Sequence, residues 1–182
     1  MPRNRLLFTL RAWPVVTAAT IALCYLTKVV AGWVGVDLPD QQNVELLHGY
    51  MTHAFDSLAM FCGAALLVVQ VVAAMPVVEE LAFRWLLDGI PRRLFARWRG
   101  GRGERLFGCL TVLVSSALFS AAHYVRQPWP DAAFLALFFF GVAQCWLYRK
   151  TDRIGCVMLN HGLFNLTNLV LLFLLPASRG AV

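Results

Sequence analysis

The sequence predicts an all-α fold, a polytopic bundle of about five transmembrane helices with a core of four. Three observations support this class. Hydrophobic residues make up 59% of the 182 residues, and the mean hydropathy is +0.65. Charged residues make up 14%, against about 25% in a typical soluble domain. The apolar residues form five segments of spanning length, and none alternates at every second position as a transmembrane β-strand would.

The first segment, 12–36, follows a basic start that contains Arg3, Arg5 and Arg11. An apolar run of this length exceeds the core of a secretory signal, and no early Ala-x-Ala-like cleavage site is present. We therefore expect it to remain as a first membrane span, with Lys28 as its one charged residue.

The second segment, 55–87, is too long for one straight crossing. As a helix it would measure about 50 Å at about 1.5 Å per residue, whereas the hydrocarbon core is about 30 Å thick. The helix must therefore tilt, extend beyond the core or break. Pro76 is the predicted break, because proline removes a backbone donor from the helix interior.

Three further segments complete the predicted bundle: 106–123, 132–148 and 154–175. The connections between the five segments alternate in charge. Basic residues cluster before the first segment, in 92–105 and in 149–153, whereas 37–45 is acidic. The positive-inside rule then places the N-terminus in the cytoplasm and the C-terminus outside. The sequence thus predicts an integral membrane protein, and we expect it in a bacterial inner membrane.

The net charge of +6 allows a second interpretation, in which basic loops bind nucleic acid. The basic residues, however, lie in connections between apolar segments, where a topology signal is expected. We therefore expect the lipid bilayer as a partner and no nucleic acid.

The cysteines are scattered through the apolar runs: Cys24, Cys62, Cys109, Cys145 and Cys156. They form no CxxC pair and no Cys–His spacing typical of a metal site. This pattern predicts packing residues rather than disulfides or metal ligands.

Three short patterns place polar side chains inside the apolar segments. They are Glu79-Glu80-x-x-x-Arg84, Phe119-x-x-x-His123 and His161-x-x-x-Asn165. Ionisable groups are costly inside a bilayer, and those that occur there face the bundle interior and mark functional sites. Polar residues on three separate helices therefore predict one internal site.

The two adjacent glutamates also admit a structural interpretation. Glu80 and Arg84 are four residues apart and would face each other on a helix as an ion pair. Glu79 points about 100° away around the helix, so Arg84 need not neutralise both carboxylates. A second carboxylate in a low-dielectric site needs its own partner or a proton. Beside a histidine, it could act as a general base on water.

The two histidines differ in how well a structural role explains them. His123 ends an apolar segment, and a lone histidine there is more often a helix-end or interfacial residue. His161 lies one or two turns into the last segment, with Asn165 one turn further on the same face. Hydrogen bonding between helices would account for Asn168, seven residues on from His161. It accounts poorly for the combined Glu, His and Asn set.

In order along the chain, the three patterns resemble the three motifs of the CPBP family. In full they read Glu79-Glu80-Leu81-Ala82-Phe83-Arg84, Phe119-Ser120-Ala121-Ala122-His123 and His161-Gly162-Leu163-Phe164-Asn165. That family comprises the CAAX prenyl endopeptidases and the bacteriocin-processing and immunity membrane proteases, also called the Abi domain. The resemblance divides the chain into an N-terminal span and outer loop at 1–54, a protease-like core at 55–175 and a short tail at 176–182.

The resemblance implies a role for each motif residue. Glu79 would activate the attacking water together with His123, while His161 and Asn165 would polarise the scissile carbonyl and stabilise the oxyanion. The remaining motif residues would be structural or orienting: Glu80, Arg84 and Phe119. The implied activity is that of an intramembrane glutamic endopeptidase with a catalytic core of four helices. Its substrate would be a membrane-associated protein or peptide, cleaved near its C-terminus.

Three alternatives remain open. A set of one Glu and two His could hold zinc, but no H-E-x-x-H spacing is present, and the resemblance favours a site without metal or other cofactor. A relative that keeps the fold without the activity would be a membrane immunity or scaffolding protein. A small transporter would use intramembrane Glu and His as proton relays, although five spans without an inverted repeat argue against it.

The implied site also requires Glu79, His123 and His161 to lie around one cavity. In the predicted topology, Glu79 and His161 fall toward the inner ends of their spans, whereas His123 falls toward the outer end of the third. For the three to meet, the third helix must begin inside the cytosol, tilt strongly or bend.

Overall fold

A computed structural model describes residues 2, 4–38, 49–95, 102–124 and 131–174, without the side chains of residues 102 and 173. This part of the chain is helical almost throughout and contains no strand, so the predicted all-α bundle is confirmed. Its long helices are α1 (Arg5–Trp33), α2 (Leu58–Phe95), α3 (Arg102–Ala122), α4 (Ala133–Thr151) and α5 (Ile154–Leu174). The predicted tail 176–182 lies outside the described residues, as do 39–48 and 96–101 of the predicted connections.

Within the described residues, four helices are long and apolar enough to cross a membrane: Arg5–Trp33, Leu58–Phe95, Gly103–Ala122 and Ile154–Leu172. The chain is therefore an integral membrane protein. The predicted fourth span forms α4, a 19-residue helix that packs against α1, α3 and α5. Because other helices cover α4, it can bury the polar residues Gln144 and Thr151.

Short polar side chains set the starts of three helices. Asn4 and Ser57 each accept a hydrogen bond from the backbone N–H three residues further on, at 3.0 and 3.2 Å. Asp131 Oδ1 accepts from the first two N–H groups after Ala132, at 2.8 and 3.1 Å. Such caps satisfy donors that have no partner within the helix. Helix α4 ends at Thr151, and the φ of 49° at the next residue, Asp152, turns the chain into α5.

Helix α2 continues through Pro76, so the predicted break at that residue is wrong. The helix widens instead, and residues Gln70–Ala74 and Glu80–Gly89 are π-helical, with hydrogen bonds five residues apart. The wider turn before Pro76 lets the chain pass a residue that has no N–H to donate. At 38 residues, the helix would measure about 57 Å at about 1.5 Å per residue, so it must tilt or extend beyond the hydrocarbon core.

Helix α5 packs against α2 at the first of these widened turns. A Cβ atom on Gly162 would lie 2.5 Å from the carbonyl oxygen of Val72, so the approach requires a glycine. One turn further along α5, Asn165 Nδ2 donates to the carbonyl oxygen of Val71 at 2.8 Å. Helix α5 thus supplies a donor close to where Pro76 lacks one, and the close approach at Gly162 brings the preceding residue, His161, against α2.

An apolar core adjoins this contact. Its buried aromatic cluster comprises Phe119 of α3, Phe140 of α4 and Phe164 of α5. Serines of α3 join neighbouring helices beside the cluster. Ser115 Oγ donates to the carbonyl oxygen of Phe83 at 2.5 Å, and Ser120 Oγ donates to that of Phe134 at 2.7 Å. These bonds fix α3 against α2 and α4, and thereby fix Phe119 next to the polar residues of α2.

Candidate active site

The centre of the polar site is the imidazole of His161, which meets the carboxylate of Glu80. His161 Nδ1 lies 2.7 Å from Glu80 Oε1, and both side chains are buried. A carboxylate accepts hydrogen bonds, so Nδ1 carries the hydrogen and donates it. The bond joins residues 81 positions apart in the sequence, and it fixes both the ring orientation and the nitrogen that faces away from Glu80.

Glu79 lies at the opposite nitrogen of the same ring. Its Oε2 is 3.6 Å from His161 Nε2, beyond a direct hydrogen bond. The two glutamates differ in exposure: the Glu79 side chain is 16% exposed and that of Glu80 is 0% exposed. One carboxylate is therefore enclosed as a partner of His161, while the other remains partly accessible beside it.

Arg84 contacts Glu80 from within the bundle. Its Nε lies 3.1 Å from Glu80 Oε2, and both side chains are fully buried, as the i,i+4 spacing predicts. The guanidinium carbon lies 4.1 Å from the ring centroid of Phe119, a cation–π contact. None of the three guanidinium nitrogens makes a hydrogen bond of good geometry with the described residues. Arg84 thus balances charge at the site without being saturated by hydrogen bonds.

His123 reaches the same region through Phe119. Its Nδ1 donates to the carbonyl oxygen of Phe119 at 2.9 Å, so in the neutral ring Nε2 is the unprotonated nitrogen. The Phe119 ring lies 4.8 Å from the His123 ring and 5.8 Å from the His161 ring, centroid to centroid. The two imidazoles therefore flank one phenyl group, although the described contacts include no direct bond between His123 and Glu79.

Asn165 faces the backbone of α2. Its amide nitrogen donates to Val71, as described above, at 2.8 Å. A side-chain amide has two donor hydrogens, so one remains for a second acceptor. Asn168, predicted to bond between helices, instead donates to the carbonyl oxygen of Phe164 within its own helix at 3.0 Å.

The arrangement of donors bears on metal binding. Glu79 and Glu80 approach opposite nitrogens of the His161 ring, and so they do not converge on one point. Among the residues that the structure describes, no three His, Cys, Asp or Glu side chains stand close enough to hold a metal ion.

Sequence reasoning missed a second buried pair, eight residues beyond Glu80 on α2. Asp88 is fully buried, accepts from Thr111 Oγ1 at 2.7 Å and pairs with Arg149 through both carboxylate oxygens. Arg149 also donates to the carbonyl oxygen of Gly108 at 2.7 Å. The pair joins α2, α3 and α4. The one signal in the sequence that could have indicated this pair is the position of Asp88, a charged residue directly after an apolar segment.

A buried, carboxylate-flanked imidazole inside an apolar helical bundle defines a membrane protein with an internal polar centre. The family model described as type II CAAX prenyl endopeptidase Rce1-like matches residues 46–167. The chain belongs to this family of CAAX-type intramembrane proteases, which confirms the resemblance found in the motifs. All seven motif residues fall within the matched range, and α1 precedes it. No curated protein and no solved structure matches the chain.

Proposed function

We propose that this chain is an intramembrane glutamic endopeptidase that cleaves a membrane-associated protein or peptide near its C-terminus. Membership of the family supports protease activity in general. The observation that supports the glutamic mechanism is the imidazole of His161, held between an enclosed Glu80 and a partly exposed Glu79. Glu79 is the carboxylate that water and a substrate can approach, so it takes the role of the base.

In the proposed reaction, Glu79 accepts a proton from water as the water oxygen attacks the scissile carbonyl carbon. The unprotonated Nε2 of His123 offers a second acceptor that orients the water. The remaining amide hydrogen of Asn165 stabilises the negative charge that develops on the carbonyl oxygen, and His161 does so from Nε2 when that nitrogen also carries a proton. The C–N bond then breaks, and the proton held by Glu79 passes to the leaving amine.

Glu80 and Arg84 are positioning residues in this proposal. The bond from His161 Nδ1 to Glu80 holds the ring so that Nε2 points toward Glu79. Arg84 offsets the charge of the enclosed carboxylate, and Phe119 packs against Arg84 and both imidazoles.

The decisive test is cleavage by purified protein in liposomes, with candidate membrane-anchored C-terminal tails as substrates. Glu79→Gln should lower turnover about 10²–10⁴-fold, the usual contribution of a positioned general base. Glu104→Gln, which changes an exposed glutamate in the first turn of α3, is the matched control and should cleave normally. Equal turnover of wild type and Glu79→Gln would remove Glu79 from the mechanism, and a folded but inactive wild type would favour a scaffolding or immunity role.

We also propose that the reaction needs no metal, which the divergent positions of Glu79 and Glu80 around His161 support. Turnover should persist after strong chelators and dialysis. Stoichiometric zinc in active protein, with activity lost on its removal and restored on its return, would replace the glutamic mechanism with a zinc-dependent one.

The proposed orientation has the N-terminus in the cytoplasm of a bacterium and the C-terminus outside, following the positive-inside rule. The substrate would then enter from the cytosolic side, beside the basic segment 92–105. Labelling of a single cysteine at position 105, in a variant without the native cysteines, should occur only after the inner face is made accessible. Labelling from outside in intact cells would reverse the orientation.

A further inference from the structure

Two arginines at the end of α2 share one carboxylate. Arg92 Nη2 lies 3.8 Å and Arg93 Nη2 lies 3.6 Å from the same oxygen, Asp152 Oδ1, in the turn between α4 and α5. Both distances exceed a direct hydrogen bond. The ion pairs therefore leave most of the guanidinium donors unused.

Other charged residues nearby leave an excess of positive charge around Arg92 and Arg93. The buried carboxylate of Asp88 is already taken by Arg149, and the exposed Lys150 and Arg153 flank the turn. Arg92 Nε is buried and has no hydrogen-bond partner among the described residues. The cluster thus has one nearby carboxylate for several cations, and a buried donor that still needs an acceptor.

Arg93 is also oriented before any ligand binds. Arg93 Nη2 donates to the hydroxyl of Tyr148 at 3.2 Å, and the aromatic ring of Tyr148 is buried in the bundle against Leu147 and Val157. A guanidinium held by a buried side chain loses less conformational entropy when it binds an anion.

The position of the cluster identifies the anion. Leu94 and Phe95 follow directly after the arginines and are exposed, as are Trp85 and Leu86 earlier on α2. Exposed apolar side chains next to arginines mark the depth at which hydrocarbon gives way to lipid headgroups. The acidic, oxygen-rich group abundant at that depth is the phosphate of a phospholipid, which matches the forked donors of arginine.

We propose that Arg92 and Arg93 bind the phosphate of an anionic phospholipid, with Asp152 as an internal competitor for the two guanidinium groups. The site does not depend on the proposed proteolysis, since it lies on the last turns of α2, twelve residues and more beyond Glu80. It would hold this end of α2 at the membrane surface.

The test measures binding of phosphatidylglycerol to purified protein in neutral detergent by native mass spectrometry, with phosphatidylcholine as the comparison lipid. Arg92→Gln with Arg93→Gln should weaken phosphatidylglycerol binding about fivefold for each arginine removed. The matched control, Arg11→Gln with Arg105→Gln, removes the same charge from two exposed positions and should bind nearly as well as wild type.

Asp152→Asn gives the sharper result, because it removes the competitor without touching the arginines. It should strengthen phosphatidylglycerol binding several-fold, and it decides the question if the double arginine variant fails to fold. Weaker binding by Asp152→Asn would show that the cluster is only an internal ion pair, and the proposal would be wrong. Wild-type affinity in the double arginine variant, or displacement of the lipid by millimolar inorganic phosphate, would equally overturn it.

Discussion

Two stretches of α2, around Glu80 and around Asp88, each bury a carboxylate beside an arginine, but their hydrogen bonding differs. Asp88 receives hydrogen bonds from Arg149 and Thr111, and Arg149 donates further to a backbone carbonyl. Among the residues that the structure describes, Glu80 receives one hydrogen bond, from His161. It meets Arg84 in a single 3.1 Å approach, and the guanidinium forms no hydrogen bond of good geometry with those residues.

The difference indicates that the two ion pairs of α2 have different roles. A buried ion pair stabilises an arrangement when its remaining donors and acceptors are satisfied. The Asp88 pair meets that condition and ties three helices together. The Glu80 pair does not meet it, and α5 contacts α2 here through the bond from His161 and, earlier on α2, through the close approach of Gly162 and the hydrogen bond from Asn165. In the proposed mechanism, the charge at Glu80 therefore orients His161.

The largest expected effect is a loss of stability when the fully hydrogen-bonded pair of Asp88 and Arg149 is broken. Arg149→Met leaves Asp88 buried with a neutral threonine as its partner, and should lower the free energy of unfolding by about 3–5 kcal/mol. Arg84→Met leaves Glu80 bonded to His161, which can take up a proton, and should cost about 1–2 kcal/mol. Denaturant titration in detergent micelles, monitored by circular dichroism, measures the free energy of unfolding of both variants. A larger loss for Arg84→Met would reverse the assignment of the two pairs.

The next effect is on turnover. Glu80→Gln should lower turnover at least about 100-fold, because an amide can donate to Nδ1 and release the ring from its fixed tautomer. Asp88→Asn, the same change in the other pair, should leave turnover of the folded fraction within about threefold of wild type. Cleavage rates normalised to folded protein give the ratio. Similar losses in the two variants would mean that Glu80 acts through the fold alone.

A smaller effect tests the backbone contact. Gly162→Ala places a Cβ atom 2.5 Å from the Val72 carbonyl oxygen, and the forced separation of α2 and α5 should cost about 1–3 kcal/mol. Gly155→Ala is the matched control on the same helix, with nothing within 4 Å of the added atom, and should change stability by less than about 0.5 kcal/mol. If the two variants unfold alike, the close approach of α5 is not what holds the Glu80 stretch.

The smallest expected effect on stability comes from replacing a whole pair. Asp88→Leu with Arg149→Met should unfold within about 1 kcal/mol of wild type, because an apolar pair of similar volume substitutes for a buried ion pair at little cost. It should also keep most of its turnover. Glu80→Leu with Arg84→Met should fold but not cleave. Denaturation and cleavage assays on the same preparations compare the two, and activity in the second double variant would separate Glu80 from catalysis.

The helices could be predicted from run length and hydropathy, because in a bilayer a segment must satisfy its backbone within itself. Helix α4 differs from the others in being more buried by its neighbours, although Leu135, Phe139 and Trp146 stay exposed. The sequence of an apolar run of 17 residues, 132–148, does not show whether the helix is surrounded by lipid or by protein.

The motifs supplied the polar residues of the candidate site, and the structure places Arg84, His123 and His161 against the ring of Phe119. They could not say which glutamate meets His161 Nδ1, since that depends on turns wider than the 3.6 residues that the pattern assumes. Nor could spacing reveal the pairing of Asp88 with Arg149, which are 61 residues apart. Contacts between distant helices follow from packing, and helical spacing reports only on neighbours within one helix.

The widened turn before Pro76 makes the site sensitive to residue count. Hydrogen bonds join helices α2 and α5 at two points: Val71 with Asn165, and Glu80 with His161. Each residue of a regular helix adds about 100° of rotation. Loss of a single residue between Val71 and Glu80 would therefore turn both carboxylates away from the imidazole while leaving every motif intact. A search for active relatives would need to count the residues between the two contacts as well as match the motifs.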